Sequence, residues 1–385
     1  MSPTPIDAVR AREYPGPPEG VFLNAASYGL LPASAAEAAA DLVLRRRRVH
    51  GFAEEELGEI LARCRGAVAR LLDVDSADVA LGPNTSYGVN LGVACAATFP
   101  PGTVLVSQGE FPANVLPWRA LEPRGFELEV VPTDAAGLPD EPAMLRRLAD
   151  DDVRVLALST VQFGTGYRAD MEALGRACRD RGVLFFVDAI QALGVVPVRP
   201  LSCGVDLLSS GGQKWLCAPW GSGFTWVHPR LRERFEPPMV SWLGMEGALE
   251  FDRPLDYRLR WRGDAARFEL GTLGFQDYLG LARALEVLME VGVATILDHV
   301  RDVQEPLLRW LDDGTGRSLV TPREPGRRAG IVAFRVSDPT AAAAALREAG
   351  VVFAVREGSL RFSPHFYNTV DEMRRVVDVL ERSGV

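Results

Sequence analysis

Between about residues 78 and 230, short apolar runs alternate with longer stretches of helical spacing. Seven runs read as strands: Asp78 to Leu81, Thr103 to Ser107, Leu128 to Val131, Val153 to Ser159, Val183 to Asp188, Asp206 to Ser209 and Gly223 to Val227. Val183-Leu184-Phe185-Phe186-Val187 is apolar without alternation, as in a strand covered on both faces. Helical segments such as Asp170 to Arg181 fall between the strands, which predicts an α/β domain with a mainly parallel sheet. Residues 34 to 72 read as helices rich in alanine, leucine and arginine, with Arg45-Arg46-Arg47-Arg48 inside them on a solvated face. From Tyr278 the pattern changes. A long helix to Val291 leads into a smaller α+β unit with a strand at Ile331 to Val336 and helices at Thr340 to Ala349 and Asp371 to Arg382. The expected organisation is an N-terminal segment 1–20, a large domain 21–277 and a small C-terminal domain 278–385.

Charge and composition narrow the classes. A net charge of −9 over 385 residues argues against a nucleic-acid footprint, and no apolar stretch is long enough to span a bilayer. The first residues, Met1 to Asp7, lack a basic region and an apolar core, so no secretory leader is expected. Cys64, Cys95, Cys178, Cys203 and Cys217 are scattered, which suits a reducing compartment, and a cytoplasmic location is expected. The four histidines are dispersed, so no metal centre is expected.

Candidate chemistry lies where strands end. One apolar run delivers Asp188 at its C-terminal edge, and the next is followed by Ser209-Ser210-Gly211-Gly212-Gln213-Lys214, with the lysine 26 positions beyond the aspartate. A lysine amine that condenses with a carbonyl, plus an aspartate for a ring nitrogen, is what pyridoxal 5′-phosphate (PLP) needs from a protein. A phosphate cup is expected at Gly82-Pro83-Asn84-Thr85-Ser86, where a strand breaks and a helix begins with free N–H groups and the hydroxyls of Thr85 and Ser86. Phe111, just after the strand Thr103 to Ser107, is placed to stack on the ring, and Gln191 to donate to its phenolic oxygen.

These segments, in this order, resemble the class V aminotransferase family of fold-type I PLP enzymes, with its cysteine desulfurases, isopenicillin N epimerase-like proteins and kynureninase. The resemblance runs from about Phe22 to the C-terminus. Asn24-Ala25-Ala26 resembles the N-terminal substrate loop, which makes Asn24 and Ala26 substrate-binding candidates. Thr85-Ser86 falls where the family has a phosphate-binding Thr-Thr pair. Glu110-Phe111-Pro112-Ala113-Asn114 through Trp118 resembles a desulfurase segment, and Asp188 with Gln191 matches Asp-x-x-Gln. Lys214 matches the Schiff-base lysine, with Gln213 beside it as a phosphate donor. Arg267-Phe268-Glu269-Leu270-Gly271-Thr272 resembles a motif whose threonine reaches the neighbouring subunit's phosphate, which implies a homodimer with shared active sites. Leu360-Arg361-Phe362-Ser363 and Tyr367-Asn368-Thr369 resemble the segment whose arginine clamps the substrate α-carboxylate.

Departures from the pattern bear on the reaction. Gly350 to Leu360 holds no cysteine before the carboxylate-binding arginine, so no thiolate is expected to accept sulfur and desulfurase activity is not expected. Phe111 stands where desulfurases have a histidine, which leaves Lys214 as the base at Cα and His365 or Tyr28 as candidates for further proton transfer. Gly211 and Gln213 replace a serine and a histidine around the lysine. The resemblance implies Cα deprotonation of an α-amino acid followed by transamination, with β-elimination (C–S cleavage included) or epimerisation as alternatives. A non-catalytic protein on the same fold is the reading from another class. Arg258, Arg260 and Arg262 alternate as on one strand face, and Trp118, Trp220, Trp242 and Trp261 read as core or interface aromatics or as the rim of a pocket.

Overall fold

The computed structural model describes residues 5–15, 20–248 and 257–384. Residues 1–4 and 16–19 of the expected N-terminal segment lie outside the described residues, and residues within 5–15 form the helix Pro5–Glu13.

The large sheet has seven strands: β1 (Val79–Gly82), β2 (Thr103–Ser107), β3 (Glu127–Val131), β4 (Val153–Ser159), β5 (Leu184–Asp188), β6 (Leu207–Gly211) and β7 (Gly223–Val227). Their order across the sheet is β1-β7-β6-β5-β4-β2-β3, and only β7 runs antiparallel to its neighbours. The strands were legible because both faces are covered. On β5, Phe185 and Val187 enter one core with Leu81 and Leu208, whereas Leu184 and Phe186 enter the other with Val104 and Val155. The first core is sealed by the helices Glu54–Leu72 and Phe275–Val291, the second by Thr85–Ala96. Phe186 meets Trp118 edge-on at 5.5 Å in the second core. Each such buried aromatic contributes roughly 1.5–3 kcal/mol by leaving water.

The helix Thr85–Ala96 lies close against the sheet. A Cβ on Gly88 would collide with the hydroxyls of Ser209 on β6 and Thr225 on β7, so glycine there permits the approach. The helix Met171–Arg181 starts at Asp170, whose side chain accepts from Ala173 N, and ends at Gly182 with φ 66°. That left-handed residue is a standard helix stop and returns the chain into β5.

The C-terminal part carries a four-stranded antiparallel sheet in the order Ala354–Arg356, Ser359–Phe362, Val332–Arg335, Ser318–Leu319. The helices Val293–Asp312, Pro339–Glu348 and Val370–Arg382 contribute to its core. Near the N-terminus, Val21–Phe22 pairs in parallel with Val351–Val352, and Asn24 bridges to Ser363. The helix expected from Tyr278 begins at Phe275, and it packs on the helices Ala33–Arg45 and Glu54–Leu72.

Two expectations need correction. Only Arg45 of the arginine run is helical. It closes the helix Ala33–Arg45 and pairs with Asp41 and Glu56, while Arg46, Arg47 and Arg48 follow in an exposed turn. Arg258, Arg260 and Arg262 do not form a strand. Trp261 makes an isolated bridge to Met245, and Arg262 turns to Asp264 at 2.6 Å, which breaks the alternation.

Candidate active site

Parallel strands end on a common edge, and in such sheets that C-terminal edge is where ligands bind. Ser159, Asp188 and Ser209 stand in register across β4, β5 and β6. Beyond this row lies a cavity of about 220 Å³. It brings together Thr85, Ser86, Phe111, Asp188, Gln191, Gln213 and Lys214, seven residues singled out in the sequence.

The phosphate-cup candidate is a true helix start. Asn84 caps the helix Thr85–Ala96 by accepting from Tyr87 N at 3.0 Å, so the first-turn N–H groups face the cavity end of the sheet. Thr85 is buried and its Oγ1 accepts Gly211 N at 2.9 Å, whereas Ser86 is exposed. The Arg267-Phe268-Glu269 segment supports this start from behind. Glu269 accepts Leu81 N at 2.9 Å and pairs with Arg65, and the hydroxyl of Tyr87 donates to Phe268 O. Thr272 of the same motif is exposed and does not line the cavity.

Lys214 is partly buried, and no side-chain hydrogen bond or ion pair holds its amine among the described residues. Burial lowers its ammonium to about 8, with Asp188 opposing the shift and the charges of Arg361 and Arg356 adding to it. Its Nζ lies 5.7 Å from the ring centre of Phe111. That ring is 47% exposed, a large aromatic face turned outward beside the amine. Asp188 is 3% exposed and accepts Ile190 N at 2.9 Å. Burial pushes its carboxyl up to about 6.

Gln191 gives an amide N–H to Ala26 O at 3.1 Å and accepts Trp215 Nε1 at 2.8 Å. The amide retains a second N–H for a ligand. Through Ala26 it is linked to the substrate-loop candidates. Ala26 N donates to Ser363 Oγ at 3.0 Å, and Arg361 donates to Ser27 Oγ at 3.0 Å and to Phe163 O at 2.8 Å. Arg361 is 2% exposed and its Nε has no partner. Burial and nearby Arg356 lower it to about 10. Asn24 is buried beside Ser363 with its Oδ1 unpaired.

His365 does not reach the cavity. It is fully buried, Phe366 N donates to its Nδ1 at 2.7 Å, and its Nε2 meets Trp215 O at 2.9 Å. Burial lowers it to about 4, so it stays neutral and structural. Tyr28 packs against Phe22 and Trp220 and is absent from the cavity wall. Trp118 is core, and Trp220 and Trp242 are exposed away from the wall.

Sequence reasoning missed Ser159, Phe163 and the role of Glu110. Ser159 and Phe163 line the cavity, and Phe163 meets Phe111 edge-on at 5.2 Å. Glu110 is buried behind them. It accepts both the N–H (2.8 Å) and the hydroxyl of Ser159, and Asn114 Nδ2 at 3.0 Å, and burial raises it to about 7. The one available signal was a glutamate directly before Phe111 at a strand end. A second cavity of about 970 Å³, beside the helix Pro5–Glu13 and Thr369, contains none of these groups.

An unpartnered, partly buried amine, a buried carboxylate and an outward aromatic face around one cavity fit an aromatic aldehyde with a basic ring nitrogen. The helix start fits its phosphate. These features define a fold-type I PLP-dependent enzyme. The family model for aminotransferase class-V matches residues 40–376, and the chain belongs to that family, whose cofactor is pyridoxal 5′-phosphate. The chain is 30% identical over 387 residues to isopenicillin N epimerase from Streptomyces clavuligerus, covering 94% of this chain and 95% of the relative. It is 29% identical over 314 residues to the uncharacterized aminotransferase YcbU of Bacillus subtilis, covering 82% and 81%. A probable cysteine desulfurase of Methanothermobacter thermautotrophicus is 28% identical, with 83% of each chain covered. Among solved structures, a cysteine desulfurase from Thermococcus onnurineus NA1 superposes with a TM-score of 0.87 at 23% identity, over 99% of both chains. The cystine C–S lyase C-DES, in complex with its product cysteine persulfide, gives 0.85 at 22% identity over 96% and 99%.

Proposed function

We propose that the chain acts on an α-amino acid in an aminotransferase-type reaction, with Lys214 as both cofactor anchor and base. The carrying observation is the juxtaposition of an unpartnered Lys214 amine, Asp188 and Phe111 around one cavity, with the Arg361 charge acting on the same amine. Thr85, Ser86 and Gln213 would hold the cofactor phosphate, Phe111 its ring face, and Asp188 and Gln191 its ring nitrogen and phenolic oxygen. When bound, PLP supplies an electron sink for the pair left at Cα. Arg361 orients the α-carboxylate, beside Asn24 and Ala26. An amine lowered to about 8 is neutral in a useful fraction near neutral pH, so Nζ can take the Cα proton and hand it on from the same face.

Lys214 and Asp188 are the only titratable side chains among the described residues of the cavity wall. A single base that takes the Cα proton and would deliver it on the same face to the cofactor's aldehyde-derived carbon suits transamination better than a two-base epimerisation. Epimerisation is retained as the second reading because of the 30% identity to an isopenicillin N epimerase across 94% of this chain. Elimination at Cβ, C–S cleavage included, would start from the same deprotonation. Desulfuration by a protein thiol is not proposed, although relatives carry that name. None of the five cysteines lines the cavity, and Cys217, the nearest to Lys214 in sequence, is buried with its thiol pushed up to about 12. Thr272, exposed and off the cavity, suits contact with the phosphate site of a second subunit in a homodimer. No helix among the described residues is long and apolar enough to cross a membrane.

The test is an absorption spectrum of the PLP-reconstituted protein during titration with amino acids and β-thioethers. Conversion of the cofactor to its amine form, with release of a 2-oxo acid, is expected. Release of pyruvate or a thiol with PLP retained would favour the lyase. Absence of any cofactor band would overturn the enzymatic reading.

A further inference from the structure

The chain that leaves β4 makes a short loop and turns back before the helix Met171–Arg181 begins. Thr160, directly after β4, donates its N–H to Asp188 O at 3.0 Å, and its own carbonyl accepts Ala169 N at 3.0 Å. Val161 bridges to Arg168, and Arg168 N donates to Arg327 O at 2.9 Å, which ties the loop to the C-terminal part. Beside this loop lies a cavity of about 480 Å³, distinct from the one that holds Lys214. Thr160, Arg168, Glu172, Cys203 and Glu324 are among its walls.

Two groups there lack partners. Thr160 is 2% exposed, and its Oγ1 has no hydrogen-bond partner. A buried hydroxyl left unpaired is unfavourable, and a ligand group that bonds it removes that penalty. Arg168 is half-buried, and among the described residues its guanidinium meets no carboxylate within ion-pair distance and donates no hydrogen bond. The other arginines of the wall are matched. Arg327 pairs with Glu141 at 2.9 Å, and Arg199 lies 3.5 Å from Asp73 and donates to Leu71 O at 3.1 Å.

The acidic side of the same wall selects the kind of anion. Glu172 and Glu324 are exposed and have no cation within ion-pair distance among the described residues. Two free carboxylates beside one free guanidinium repel a dianion such as phosphate. They suit a ligand that carries a carboxylate and an ammonium together.

We propose that this cavity is a second, non-catalytic site for a free α-amino acid. The ligand carboxylate sits on the Arg168 fork and the Thr160 hydroxyl, and the ammonium faces Glu172. The volume leaves room for a side chain. The two cavities share a strand end, since Ser159 lines the catalytic one and Thr160, the next residue, lines this one.

Cys203 supplies the readout. It lines the cavity and is the one cysteine among the described residues that is not buried. Iodoacetamide labelling of the PLP-reconstituted protein, with mass spectrometry of the Cys203 peptide, therefore reports occupancy at this place. Glycine should slow the labelling saturably, with a dissociation constant on the order of 1 mM for one guanidinium fork and a neighbouring charge. Acetate and methylammonium each carry half of the ligand and should bind about 10-fold more weakly. Arg168→Gln should weaken glycine protection about 10-fold or more, with Arg168→Lys intermediate. Glu172→Gln should bring glycine down to the level of acetate. Labelling at the wild-type rate without glycine shows that a variant is folded around the cavity, and where Arg168→Gln fails this control Arg168→Lys carries the comparison. Glycine protection should persist in Arg361→Gln, and its loss there would trace it to the catalytic cavity and overturn the second site. The proposal is equally overturned by unchanged protection in Arg168→Gln, by an unchanged gap between glycine and acetate in Glu172→Gln, by stronger protection from inorganic phosphate than from glycine, or by no protection from glycine at all.

Discussion

Thr85 Oγ1 accepts the backbone N–H of Gly211 at 2.9 Å, which ties the first turn of the helix Thr85–Ala96 to the strand that leads to Lys214. The proposed phosphate cup and the proposed cofactor lysine are thereby linked through one hydrogen bond. Gly88 reinforces the link by letting the helix lie directly on β6 and β7.

Replacing Thr85 and Ser86 should separate structural from ligand-binding effects. Thr85→Val leaves a buried Gly211 N–H unpaired and should cost about 1–3 kcal/mol in the cofactor-free protein. Ser86→Ala removes an exposed hydroxyl, so stability should change by less than about 0.5 kcal/mol while PLP affinity drops about 10-fold. Thermal unfolding of the apo protein and PLP titration measure the two effects.

Lys214→Ala should abolish the absorption band of the lysine-bound cofactor and lower turnover by about 10²- to 10⁴-fold or more. Persistence of that band in the variant would remove Lys214 from its role.

Asp188→Asn should exchange function for stability. Burial raises the folded-state value of Asp188 from 3.8 to about 6, so the folded chain holds this proton more tightly than the unfolded one. That contribution is complete below 3.8 and is lost as pH rises through about 6. At pH 8 the cofactor-free variant should therefore be more stable than wild type, by roughly 1–3 kcal/mol, with a smaller gain at pH 5. The holoenzyme should lose activity through the same change. Urea denaturation at the two pH values, beside turnover assays, gives the comparison.

The proton-transfer step should follow the titration of Lys214. Below about 8 the free amine is protonated and cannot accept the Cα proton, so exchange of that proton with solvent deuterium should rise with pH through about 8. Exchange followed by proton NMR reports it directly. A profile that is flat from pH 6 to 9 would point to a different base.

With L-cysteine, no protein-bound persulfide should accumulate. Burial holds the Cys217 thiol high, at about 12, which leaves almost no thiolate near neutrality. Cys217→Ala should retain turnover within about twofold, because a buried packing thiol acts as a small apolar group. Mass spectrometry of the alkylated protein detects any persulfide.

The sheet and the residues at its strand ends were legible because two physical signals coincide there. Strands covered on both faces read as unbroken apolar runs, and a buried polar residue at the end of such a run stands out, as Asp188 does after Phe186-Val187. The arginine triplet at 258–262 misled for the complementary reason. Alternation is a period-2 signal only where a partner strand exists, and among the described residues the one bridge here is Trp261 to Met245.

The order of motifs in the chain, the place of Lys214 26 positions after Asp188 and the absence of a cysteine from residues 350–360 were determined by the sequence alone. Covalent order and residue type need no fold to be read. Tertiary structure decided which groups meet. It buried His365 against Trp215 and out of the cavity, set Glu110 behind Ser159, and brought Arg168 and Cys203 to the wall of another cavity. Each of these depends on contact between segments distant in sequence. Local hydrophobic periodicity carries no trace of such contacts, because their energy is set by packing and register, not by the neighbours along the chain.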